Sequence, residues 1–68
     1  MITDDRLERW IVRKNPLPRL ARDRLEKELR QYRSDFPSPL YGRKDETDMS
    51  DHVLACQVLH FRQLLRMQ

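Results

Sequence analysis

Two proline pairs divide this chain, and they limit its folds more than any other feature of the sequence. Pro16 and Pro18 make one break, Pro37 and Pro39 the other. Proline lacks a backbone donor and disfavours helix in the residue before it, so helical periodicity stops at each pair. Elsewhere apolar residues recur every three or four positions, and no stretch alternates with period two long enough for a strand. Three helices are therefore expected, over about 3–14, 17–35 and 48–67, with one sizeable loop at 36–47. The expected fold is all-α, a single domain. It is a small three-helix bundle, or a helical hairpin with a short N-terminal helix, and the third helix is central.

Each segment carries local signals. Thr3 can cap the first helix, with Asp4 and Asp5 at the positive end of its dipole. Leu7, Trp10 and Ile11 then share an arc of about 100°, beside a stripe of Arg6, Arg9 and Arg13. In the second segment Leu17, Ala21, Leu25, Leu29, Tyr32 and Phe36 form one continuous stripe, and Pro18 suits the first turn. Opposite charges four apart support it: Arg19–Asp23, Arg22–Glu26, Asp23–Lys27, Arg24–Glu28 and Glu26–Arg30, each worth about 0.2–0.5 kcal/mol. The third helix is expected to start at a Thr47 or Asp48 cap. Val53, Leu54, Val58, Phe61, Leu64 and Leu65 make its main face, about 140° wide, and Arg62 and Arg66 suit its negative end.

Size and composition exclude several classes of function. A chain of 68 residues hides only about 60% of its unfolded surface, so its core is marginal and a deep catalytic cleft is not expected. One cysteine makes no internal disulfide. No run of about 18 apolar residues exists, and Met1-Ile2-Thr3-Asp4-Asp5 has neither a basic nor an apolar leader region. A soluble cytoplasmic protein without membrane contact is expected. Cys56 and His60 lie four apart on one helix, but no glycine-rich segment offers an oxyanion hole, so no enzyme and no cofactor are expected. Asp51, His52, Cys56 and His60 lack paired ligand spacing, so no metal is expected either.

The expectation that remains is a binding module. Fourteen basic residues against eleven acidic ones give a net charge of +3, either a solvated surface or a match for an acidic partner. Trp and Arg are enriched in binding hot spots, so Arg6, Arg9, Trp10 and Arg13, with Arg43 and Lys44 of the loop, form the candidate partner-binding set. For Trp10 the competing role is a place in the core. Cys56, Leu59, His60 and Met67 fall outside the main face of the third helix and form the candidate self-association set, as in a homodimer. If the first two helices clasp the third from both sides, those residues are core instead. The favoured function is a non-enzymatic protein-binding module, a small regulator or inhibitor acting through helix-face packing. The alternative is a small basic nucleic-acid-binding regulator. Asp4, Asp5 and Glu8 weaken the field of the first helix for that role, as Asp23 and Glu26 do on the second.

The opening Ile2-Thr3-Asp4-Asp5-Arg6-Leu7-Glu8 resembles the starts of small early-region accessory proteins of bacteriophages and prophages. The resemblance covers about a tenth of the chain. It implies a compact helical module that binds and modulates a host protein or nucleic-acid complex, and it transfers no site residues.

Overall fold

A computed structural model describes residues 2–36 and 45–67. Among the described residues it contains three α-helices, α1 (Asp4–Arg13), α2 (Arg19–Asp35) and α3 (Asp51–Arg66), and a 3-10 turn at Glu46–Asp48 before α3. The two main helix–helix interfaces are those of α3 with α2 and of α3 with α1. The expected all-α bundle with a central third helix is what the chain forms.

The termini of α1 follow the sequence signals. The Thr3 hydroxyl accepts a hydrogen bond from the Arg6 backbone N–H at 3.3 Å, and Asp4 and Asp5 occupy the first turn. The helix ends at Lys14, whose φ of 54° is left-handed and turns the chain toward Pro16. Such a conformation costs a residue with a Cβ about 1–2 kcal/mol. Pro18 precedes α2 as its N-cap and does not lie inside it. Its carbonyl accepts from the Arg22 N–H at 2.9 Å, and its own missing donor is not needed there.

Leu7, Leu25, Leu29, Leu54 and Val58 are fully buried, joined in the core by Ile2, Met49, Ala55 and Phe61. Tyr32 of α2 stacks on Phe61 of α3, ring centroids 5.5 Å apart. Trp10, Ile11, Leu17, Ala21 and Leu59 are half-buried against this cluster.

Four expectations need correction. First, α3 starts at Asp51 and not at 48, because Ser50 supplies the cap, its hydroxyl accepting from the Val53 N–H at 3.3 Å. Second, residues 45–48 do not belong to an open loop. They form a turn whose Glu46 is buried, followed by the buried Met49. Third, Phe36 ends the α2 stripe outside the core. Fourth, the buried face of α3 is rotated from the expected one. Leu54, Ala55, Val58, Phe61 and Arg62 point inward, whereas Val53, Leu64 and Leu65 are 41%, 39% and 36% exposed. The physical reason is that α3 packs against both α1 and α2, and its inward face is the one that also lets Arg62 pair with Asp4 of α1 and Glu28 of α2.

Candidate partner-binding surface

Among the described residues the guanidiniums of this fold sort into a paired, structural population and an unpaired one. The first population is structural. Arg62 is 8% exposed and donates from Nε and Nη2 to both oxygens of Glu28 (2.6 and 2.7 Å), a bidentate fork. Its Nη1 donates to Asp4 Oδ1 and to the Ile2 carbonyl, both at 2.8 Å. Arg66 donates to the other Asp4 oxygen. These contacts tie the start of the chain and α2 to the end of α3. The hydrogen bonds to Glu28 and Asp4 push the Arg62 pKa upward, and those from Arg62 and Arg66 pull Asp4 below its ordinary 3.8.

A second clamp holds the approach to α3. Arg22 donates to Asp51 Oδ1 and to the carbonyls of Glu46, Thr47 and Met49, while the Leu17 N–H donates to Asp51 Oδ2 at 3.0 Å. The Arg22 hydrogen bond, then that from Leu17, lowers the Asp51 pKa. Buried Glu46 accepts from Arg33 Nη1 (3.1 Å) and Arg30 Nε (3.4 Å). Of the expected α2 surface pairs, Arg22–Glu26 forms at 3.5 Å. Glu28 and Arg30, by contrast, reach across the fold to Arg62 and Glu46.

The depressed Asp4 and Asp51 pKa values set a pH dependence. Their charged forms are favoured in the folded state, so their stabilisation is fully present above the unfolded value near 4 and lost as pH falls through the lowered values. Urea midpoints are expected to stay level from pH 7 to 5 and to drop below about pH 4. Asp4→Asn or Asp51→Asn lowers the neutral-pH midpoint and flattens that drop. A midpoint that rises on acidification contradicts the assignment.

The second population comprises exposed Arg19 and Arg24 of α2 and a stripe on α1, and only the α1 stripe flanks the tryptophan. Arg6, Arg9 and Arg13 are exposed, and among the described residues none has a carboxylate within ion-pair distance. With Trp10, Asn15 and Pro18 they line one cleft of about 300 Å³. The structure thus brings together four of the six residues expected to bind a partner. Arg43 and Lys44 lie outside the described residues. Trp10 packs against the core, half-buried, and also forms a wall of this cleft. Asp5 and Glu8 sit on the other side of the stripe, sharing a shallow depression with Arg9, Val12 and Arg13.

The self-association set is divided. Leu59 packs against the core and Cys56 is half-buried, while His60 and Met67 are exposed, Met67 by 84%. Cys56 Sγ lies 3.7 Å from Nε2 of His52, one turn back on the same helix. Burial raises the Cys56 pKa, which disfavours the thiolate. Among the described residues no group of three or more His, Cys, Asp or Glu is placed to hold a metal, and no helix is long and apolar enough to cross a membrane.

The buried network of Arg62, Glu28 and Asp4 was missed from sequence, although a signal existed. Arg62 follows Val58 by four and Ala55 by seven, which places it on a buried helical line. No protein-family model matches the chain, and no curated protein and no solved structure is significantly similar to it.

Proposed function

We propose that this chain is a non-enzymatic protein-binding module, a small regulator or inhibitor that docks through α1 onto an acidic surface of a partner protein. The observation that carries this reading is the stripe of Arg6, Arg9 and Arg13 lining one cleft with Trp10, with no carboxylate within ion-pair distance among the described residues. Like charges three and four apart cost a helix about 0.2–0.5 kcal/mol per pair. Arg22, Arg30, Arg33, Arg62 and Arg66 are matched with carboxylates elsewhere in the fold, and Arg19 and Arg24, unmatched on α2 among the described residues, do not line the Trp10 cleft. An acidic partner relieves the repulsion on α1, steers association and leaves Trp10 as an apolar anchor.

The test compares the tagged chain with an Arg6→Glu/Arg13→Glu variant in cell extract, with and without nuclease. The wild-type chain is expected to retain a protein through nuclease treatment. The variant, with unchanged helical circular dichroism, is expected to retain at least tenfold less. Equal capture by both chains overturns the reading, and release by nuclease favours a nucleic-acid-binding regulator instead.

A further inference from the structure

The α1 cleft also limits what its ligand looks like. Arg6 and Arg13 are seven residues apart, so they stand about 10.5 Å apart along the helix axis. A polyproline II segment has three residues per turn and rises about 3.1 Å per residue, so side chains three positions apart share one face and are separated by about 9 Å. Between the two arginines, Trp10 and Pro18 supply apolar wall, Asn15 supplies amide donors and an acceptor, and Arg9 adds a third guanidinium. The cleft, at about 300 Å³, is sized for one or two side chains. A ligand helix laid along α1 would instead need a long groove.

We propose that the cleft binds an acidic peptide segment in polyproline II conformation, with two carboxylates three positions apart and an apolar residue between them. This rests on the protein-binding reading above and names the chemistry of the partner. In the complex Arg6 and Arg13 each hold one carboxylate through paired N–H donors, and the intervening apolar side chain sits against Trp10 and Pro18. A nucleic-acid strand fits less well. Its phosphates follow one another along a track longer than this cleft.

Trp10 is the only tryptophan in the chain, so its fluorescence reports on this cleft directly. The probe is an eight-residue peptide with two glutamates three positions apart and a leucine between them. Its controls carry glutamines in place of the glutamates, or the two glutamates adjacent to each other. A twelve-nucleotide oligothymidylate is titrated in parallel at about 0.15 M salt, where surface charges are screened over about 8 Å. The spaced peptide is expected to give a saturable change in Trp10 emission. Affinity is expected to fall at least tenfold with the glutamine peptide and severalfold with the adjacent one. An Arg6→Gln/Arg13→Gln variant of unchanged helicity is expected to lose the response.

No saturable change, an equal response to the glutamine or adjacent peptide, or tighter binding of the oligonucleotide overturns the proposal. The two readings fail separately. Nuclease-resistant capture that depends on Arg6 and Arg13, together with a silent peptide titration, removes the acidic segment and leaves the protein-binding module standing.

Discussion

Arg62→Ala is expected to lower the melting temperature by roughly 15 °C or more, or to leave the chain largely unfolded at 25 °C. Removing one member of a buried ion pair costs about 3–5 kcal/mol, because the partner charges stay behind without compensation. Here two carboxylates and a backbone carbonyl lose the Arg62 donors together, leaving Asp4 with the exposed Arg66 and Glu28 with the neutral Tyr32 hydroxyl. A chain of this length has about 3–10 kcal/mol of stability in total, and each kcal/mol shifts the midpoint by about 4–8 °C. Arg62→Lys keeps the charge but not the planar fork, so it cannot satisfy Glu28 bidentately while reaching Asp4, and an intermediate loss is expected. Thermal unfolding followed by circular dichroism measures both. A midpoint for Arg62→Ala within about 3 °C of the wild type means the network contributes little.

What could be read from sequence followed the range of the interaction concerned. Helix existence, the Thr3 cap and the break after Lys14 depend on neighbours within one turn, and these agree with the structure. The Arg–Trp stripe of α1 was legible for the same reason: four residues on one helix face meet whatever the rest of the chain does. Contacts between elements were less legible. Glu28 looked like a surface partner for Arg24, yet it accepts from Arg62, 34 positions away. Glu46 looked like part of a polar loop, yet Arg30 and Arg33 of α2 draw it into a buried site. A charge pattern with many complementary choices does not reveal which choice packing enforces. The Ser50 cap was passed over because Thr47 and Asp48 carry equally good capping groups nearby.

The rotated face of α3 leads to the second large effect, a contrast between two leucines that hydrophobic periodicity ranks alike. Leu54 and Leu64 both lie on the face expected from spacing, but Leu54 is fully buried and Leu64 is 39% exposed. Leu54→Ala removes contacts in the helix that joins both others, and a buried leucine truncated to alanine costs about 2–5 kcal/mol. That corresponds to a midpoint lowered by about 10 °C or more in a chain this small. Leu64→Ala is expected to change stability by less than about 1 kcal/mol, since the lost surface is already partly in water. Urea unfolding of the two variants at equal protein concentration separates the cases. If Leu64→Ala instead costs as much as Leu54→Ala, and the cost grows with protein concentration, Leu64 is buried between two copies of the chain. A cost of that size independent of concentration means α3 is seated on the face that spacing suggests, with the Arg62 line turned away from the core.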